Sequence, residues 1–419
     1  MSKWLFILHE HSKQLWFRSS LYCLLAIVTA LLGVALNDSV SFPLQSFIKA
    51  NAVKQILEIL AASMLVVATF SLSVMVEALR AASTTATPRA TQLLTEDTSA
   101  QNALAAFIGA FLFSIVGLLA LSAGIYGESG TIILFASTVV VLLLVVIMLL
   151  RWVDQLSRLG RVEKSIDLVE AATTDALVKR ARVPFLGGHA LQEVPQNSFP
   201  VNCGAIGYVQ YIAMEKLQQI AGQHDMEIYI DVLPGRFCDL VRHIAYTNKP
   251  ADDTVAAAIS EALVIGDTRT FPQDPRFGFV VLGEIAIRAL SPAINDPGTA
   301  IDVVGTSVRL FRAWAQERCT QPNPCPILYD RVWAPGLRED DFFDDIFSPI
   351  ARDGAEFREV CIHLQKALRA IGHLQFPPYD DSAKRWSTGV LERCECQLTK
   401  DEFAAVEAIR RDWEKAADQ

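Results

Sequence analysis

Thr131-Ile-Ile-Leu-Phe-Ala-Ser-Thr-Val-Val-Val-Leu-Leu-Leu-Val-Val-Ile-Met-Leu-Leu150 contains no charged residue, and Arg151 closes it. A helix of about 20 apolar residues crosses the ~30 Å hydrocarbon core of a bilayer. Three runs of the same kind precede it, at roughly 21–36, 56–76 and 103–126. The last two runs are separated only by Gly127-Glu-Ser-Gly130, which predicts a tight helical hairpin turn. The expected fold is an α-helical membrane domain of four transmembrane helices over residues 17–151, with the rest of the chain arranged around it.

Composition agrees with this reading. Hydrophobic residues make up 52% of the 419 and mean hydropathy is +0.30, high for a soluble chain. The net charge of −9 comes without a basic stripe, which argues against a nucleic-acid partner, because phosphate neutralisation needs clustered Lys and Arg. Membrane lipid is the expected partner.

Residues 1–16 mix Lys3, Glu10 and Lys13 with Trp4, Phe6 and Trp16, the pattern of an interfacial segment. No small-residue cleavage site follows the first span, so that span is expected to be retained. Lys3, Lys13, Arg18, Arg80, Arg89, Arg151, Arg158, Arg161 and Lys164 fall on one side of the four spans, and only Lys49 and Lys54 on the other. The positive-inside rule then places both termini in the cytoplasm. Seven of the eight scattered cysteines are cytoplasmic on that orientation, and so reduced.

Beyond span four, Trp152, Val153, Leu156, Leu159, Val162, Ile166 and Val169 recur at helical spacing. They predict an amphipathic connecting helix over 152–182 that prolongs the span. Residues 183–419 read as an α+β cytoplasmic domain. Gly207–Ile212 and Met226–Val232 alternate as strands around a helix at Met214–His224, forming a strand–helix–strand unit turned at Pro234-Gly235. Asp252 and Asp253 cap a helix over Val255–Val264, and Ile327–Trp333 reads as a strand. The acidic run Glu339–Asp345 begins a helix. Ala355–Leu374, Ser382–Cys394 and Asp401–Ala417 are the closing helices.

Two constellations are candidates for function. Arg269-Thr-Phe-Pro-Gln-Asp-Pro-Arg-Phe-Gly278 precedes a predicted helix at Phe279–Leu290, with Glu284 and Arg288 as an i,i+4 pair. Ser291-Pro-Ala-Ile-Asn-Asp-Pro-Gly-Thr-Ala300 follows it. Ser291-Pro292 stops that helix. Asp296 and Pro297 carry the signature of an N-cap and a first helical position for the next helix, Gly298–Gln316. One reading is a structural helix–turn–helix corner. The other brings Arg269, Gln273, Asp274, Asn295 and Asp296 into one polar pocket for a small ion or small-molecule ligand. Its oxygens suit a cation; Arg269 and the Gly298–Thr299 amides suit an anion. In span two, Thr69, Ser73, Glu77 and Arg80 share one helical stripe, with Glu58 near the opposite end. Such a stripe packs between helices, or lines a pore when several copies assemble.

Arg269-Thr…Gln273-Asp274-Pro275…Phe277-Gly278, the Ala289–Ala300 segment, Gly207-Tyr-Val-Gln210 with Pro234-Gly235-Arg-Phe237, and Thr87-Pro88-Arg89 together resemble the bacterial membrane protein family known as domain of unknown function 2254. The resemblance covers nearly the whole chain and departs at Thr87, at Cys319–Cys325 and at Cys238–Ala245. It implies a multi-pass protein of the bacterial inner (plasma) membrane with no assigned chemistry. No Walker loop, nucleophile elbow, HExxH or GxGxxG pattern occurs, and Cys319, Cys325, Cys361, His363, Cys394 and Cys396 lack paired zinc-ligand spacing. No enzyme activity, cofactor or metal is therefore expected. A homo-oligomeric channel or transporter governed by a ligand-binding cytoplasmic domain is the leading expectation. A membrane-anchored sensor or scaffold that recruits a partner without transport is the alternative.

Overall fold

The structure is a computed structural model that describes residues 15–35, 50–95, 98–156, 160–321 and 326–417. The expected interfacial segment at 1–16 lies almost wholly outside them, as does most of the Cys319–Cys325 insert. The chain divides into two compact units. One comprises the described parts of Ile7–Thr84 and Thr91–Lys164. The other comprises Thr85–Ala90 with the described part of Ser165–Gln419.

The first unit is helical: α1 (Leu15–Ala35), α2 (Ala50–Thr85), α3 (Pro88–Thr95), α4 (Thr98–Ser122) and α5 (Glu128–Leu156). Three stretches are long and apolar enough to cross a membrane, Ala50–Thr84, Ala100–Ser122 and Ser129–Leu156. The first expected span forms α1, in which the apolar helix Ser19–Thr29 is shorter. The centre of the unit is α4. Its Ala103, Leu104, Phe107 and Ala110 pack with Leu60, Met64 and Ala68 of α2 and with Val145 and Trp152 of α5. Small residues let backbones approach closely. A Cβ at Gly109 would stand 3.4 Å from Tyr22 of α1, and one at Gly117 would stand 3.3 Å from both Leu57 and Leu134.

The expected continuous extension of span four is corrected. The helix ends at Leu156, and a separate α6 runs Val162–Arg182. Between them Gly160 takes φ +82°, a left-handed backbone that glycine adopts without steric cost and that a helix cannot continue through.

The second unit begins within α6 and continues through β1 (His189–Ala190), β2 (Phe199–Asn202), β3 (Gly207–Ile212), α7 (Met214–Gln223), β4 (Ile228–Ile230), β5 (Phe237–Cys238), β6 (His243–Thr247), α8 (Asp253–Glu261) and β7 (Leu263–Gly266). Then follow α9 (Pro275–Ala289), α10 (Pro297–Thr320), β8 (Val332–Ala334), α11 (Glu339–Asp353), α12 (Arg358–Gly372), α13 (Pro377–Glu395) and α14 (Lys400–Ala417). A mixed five-stranded sheet has the order β1-β8-β4-β6-β2, and a three-stranded antiparallel sheet the order β5-β3-β7. The strand–helix–strand reading holds for its elements but not as one sheet, because β3 and β4 belong to different sheets. Leu263 and Val264, expected to close a helix, instead belong to β7 and pair with β3. The sheets share a core with α7 and α8 through Val209, Leu217, Ile228, Ile244, Ile259 and Val332.

The helices from α9 onward pack around aromatic side chains. Phe279 stacks on Phe342 at 5.1 Å, and Phe311 meets Phe343 at 4.5 Å and Tyr379 at 5.2 Å. All five are fully buried, each contributing roughly 2–3 kcal/mol of apolar burial. Helix α9 is buried on nearly every side, with Arg276, Glu284 and Arg288 its only charged residues. A Cβ at Gly278 would fall 1.8 Å from Thr173 Oγ1 of α6, so α6 touches the α9 backbone there.

Candidate functional site

The N-terminal end of α9 gathers three of the five residues singled out above. Asp274 precedes Pro275 and caps the helix, accepting from the Phe277 N–H at 3.3 Å. Proline suits the first helical position because its missing N–H is one that no intrahelical acceptor would meet. Asp274 is 2% exposed. Arg269 grips it in fork geometry, Nε to Oδ2 at 2.8 Å and Nη2 to Oδ1 at 3.1 Å. Burial pushes the Asp274 carboxyl above its ordinary range, and Arg269 opposes that shift. The Gln273 side chain reads the Ile212 backbone as a strand would: its Oε1 accepts from the Ile212 N–H at 2.9 Å, and its Nε2 donates to the Ile212 carbonyl at 3.4 Å.

The motifs that flank this corner are built against it. Gly235 takes φ +90°, and a Cβ there would lie 2.1 Å from Asp274 Oδ2. The Pro234-Gly235 turn is thus cut to the shape of the carboxylate. Gln210 Nε2 donates to the Thr268 carbonyl at 2.8 Å, and a Cβ at Gly266 would collide with the Gln210 amide. Gly207–Gln210, Pro234-Gly235 and Arg269–Gly278 are far apart in sequence and form one cluster.

Two participants went unread in the sequence. Arg180 of α6 is buried, donates from Nη2 to the Gln273 carbonyl at 2.8 Å, and has an Nη1 with no partner among the described residues. Desolvation lowers its pKa to about 10, with Asp274 pulling the other way. Its signal was present: Ile166, Val169, Thr173, Leu177 and Arg180 follow one another at three or four residues, and all are buried. Arg276 bridges to α11, meeting Asp341 at 2.6 Å and Asp345 at 2.7 Å. The acidic run does begin a helix, as expected, and it also anchors that helix to α9.

Asn295 and Asp296 stand elsewhere. They follow the last turn of α9, where the Asp296 N–H donates to the Ala289 carbonyl at 2.8 Å. The 15 residues of α9 put about 22 Å between the two ends. The single five-residue pocket is therefore corrected to two separate corners. Asp296 is the N-cap of α10, with Thr299 donating from its amide at 3.2 Å and its hydroxyl at 2.6 Å. Asn295 turns the chain at φ +52°, a conformation Asn tolerates better than most residues. Both are exposed. The Thr299 amide expected to hold an anion is taken by Asp296, and the Asp274 oxygens expected to hold a cation are taken by Arg269.

Midway along α9, Glu284 leaves the expected Arg288 pairing and accepts from Arg89 Nη1 at 2.6 Å and Thr87 Oγ1 at 3.2 Å. Thr87 caps α3, accepting the Arg89 N–H at 3.0 Å. The segment Thr85–Ala90, which connects α2 to α4 through α3, thus belongs to the same unit as α9.

In α2, Thr69, Ser73, Glu77 and Arg80 all face outward from their unit. The Thr69 hydroxyl donates to the Leu65 carbonyl and the Ser73 hydroxyl to the Thr69 carbonyl, each at 3.0 Å. Because α2 starts at Ala50, the stripe is longer than the sequence reading made it. Asn51, Gln55, Glu58 and Thr84 share the same exposed sector at about 100° per residue. Glu58 and Glu77 are about 28 Å apart along the helix, close to the thickness of a hydrocarbon core. Between them the sector carries Ala62, Val66, Thr69 and Ser73. Between Val139 and Leu150 the exposed residues of α5 are all apolar.

Comparison with known proteins bears on identity alone. An uncharacterized protein of Mycobacterium bovis and uncharacterized proteins of two Mycobacterium tuberculosis strains are each 62% identical to the chain over 40 residues. That stretch is 10% of this chain and 8% of each relative, so the match spans a small part of their length. No solved structure matches. The family described as "Predicted membrane protein (DUF2254)" matches residues 12–370, and the chain belongs to it.

Proposed function

We propose that this membrane protein is a homo-oligomeric channel or transporter of the bacterial inner membrane, with four spans in each copy and both termini in the cytoplasm. The second unit acts as its cytoplasmic control element. The outward face of α2 carries the reading. Lipid is a good solvent for the outward face of α5 and a poor one for a line of Thr69, Ser73, Glu77 and Arg80. Copies of α2 turned toward a shared water path satisfy that face, and four helices alone enclose too little space for one. Ala62 and Val66 then form an apolar constriction between the polar ends, a place where a path closes by dewetting. Control runs through α9. A small ion or small molecule acting on the Arg269–Asp274 corner shifts the helix whose Glu284 holds the connection at Thr87 and Arg89.

Purified protein in vesicles, assayed for potassium and chloride flux, tests the reading. Val66→Asn is expected to raise flux several-fold, and Thr69→Val with Ser73→Ala to lower it. Flux indifferent to both changes removes the face from the path. The hydroxyls of Thr69 and Ser73 bond within their own helix, which lets a single span carry them in lipid. That observation favours a second reading, a membrane-anchored sensor or scaffold without transport. A strict monomer in detergent with no flux would decide for it.

A further inference from the structure

We propose that the turn at Asp239–Arg242 and the adjoining loop at Gly204–Ile206 insert into the surface of a phospholipid bilayer. Among the described residues the second unit exposes eight large apolar side chains, and four of them stand on or beside these two loops. Val241 is 83% exposed, Ile206 60%, Leu240 57% and Phe237 49%. The loops are held together: the Cys203 N–H donates to the Arg242 carbonyl at 3.1 Å, and Gly207 pairs with Cys238 in the β3–β5 ladder. The turn is also built rather than loose. Asp239 Oδ1 accepts from the N–H groups of Val241 at 3.0 Å and Arg242 at 2.8 Å. Its carboxylate is thereby turned onto the backbone while Leu240 and Val241 stay in solvent.

The form of the patch selects its occupant. A protein partner is recognised by complementary shape, which a groove or a flat face offers. Four side chains carried on a turn and the loop beside it suit a fluid apolar medium, which needs no matching surface. Arg236 is exposed beside Phe237. Its stem can lie along acyl chains while the guanidinium group stays among headgroup phosphates. Affinity from the patch alone need not be high. The chain carries helices long and apolar enough to cross a membrane, so a bilayer is always present at high effective concentration.

The test uses the full chain in vesicles of mixed phosphatidylcholine and phosphatidylglycerol, with Cys319, Cys325 and Cys396 replaced by serine. A spin label is placed by Val241→Cys, and in a second sample by Glu193→Cys, an exposed polar position after β1, at the other edge of the five-stranded sheet from β2. Signal from the remaining native cysteines is subtracted using the background chain. Power saturation is expected to show the label at 241 meeting oxygen several-fold more often than a water-soluble nickel chelate, with the reverse at 193. A label at Ile206→Cys should change from the first behaviour to the second when Leu240→Asp and Val241→Asp are added. Free access of nickel to position 241 overturns the proposal. Loss of both collision rates there also overturns it, and assigns the patch to a protein contact instead. Because the Val241 side chain packs against little of the protein, the label does not threaten the fold.

Discussion

Helices α9 and α10 start with the same dipeptide in the same backbone geometry. Asp274 has φ −118° and ψ 80°, Asp296 has φ −117° and ψ 81°, and each precedes a proline and accepts from the amide three residues on. Their surroundings differ completely. Asp274 is buried, held by the Arg269 fork, and shaped around by Gly235. Asp296 is exposed and serves its own first turn. One local instruction thus starts both helices, while only the first corner ties distant segments into a charged cluster.

The largest expected effect tests that contrast directly. Asp274→Ala leaves Arg269 without its partner and is expected to cost about 3–5 kcal/mol, as breaking a buried ion pair does. Asp296→Ala removes a cap at the surface and is expected to cost about 1 kcal/mol. Chemical denaturation of the two variants in the same detergent measures both. Equal losses would break the distinction.

Arg269→Ala comes next, and pH sharpens it. Burial already holds the Asp274 carboxyl above its ordinary value, with Arg269 the foremost influence in the other direction. Removing Arg269 raises the carboxyl further. The folded chain then takes up a proton at a pH where the unfolded chain has released it. The resulting stability is present at low pH and lost as pH rises through the folded value. Arg269→Ala is therefore expected to recover part of its loss as pH falls from neutral toward about 5, on the acid side of which an ordinary Asp also begins to titrate. Adding Asp274→Asn should recover stability at neutral pH, because no unpaired buried charge remains. A double variant no better than Arg269→Ala alone would show that Arg269 acts by packing, including its approach to the Phe277 ring at 5.1 Å.

The two corners also show what a sequence reveals. At Asp296 every participant lies within four residues, so cap, proline and first-turn threonine were legible directly. Asp274-Pro275 carried the same signal, but with the helix expected only from Phe279, Asp274 was read as part of a pocket. What the sequence withheld was mostly long-range. Glu284 and Thr87 are 197 positions apart, and nothing local distinguishes that partner from Arg288. Strands of two residues such as β1 and β5 are too short for periodicity to register, so the division into two sheets was hidden. Arg180 was hidden only by expectation, since its helical phase already placed it on the buried face. The membrane helices were legible because about 20 apolar residues leave little else to form.

The smallest expected effect belongs to the third helix start, Thr87-Pro88. Arg89 is 56% exposed in its pair with Glu284, so salt and solvent screen it, and Arg89→Ala is expected to cost less than about 1 kcal/mol. Glu284→Ala removes the acceptor of both Arg89 and Thr87. Its global stability should also change little, yet amide exchange over residues 85–90 should accelerate several-fold more than in Arg89→Ala. The reason lies in the contrast with Asp274. A contact woven into the start of a buried helix opens only when the fold opens. A polar clamp between a helix flank and a connecting segment opens at small cost, in the low-stability range from which moving parts are drawn. If exchange at 85–90 is the same in both variants, Thr87 holds the segment through its own cap, and α9 loses its proposed hold on the connection between α2 and α4.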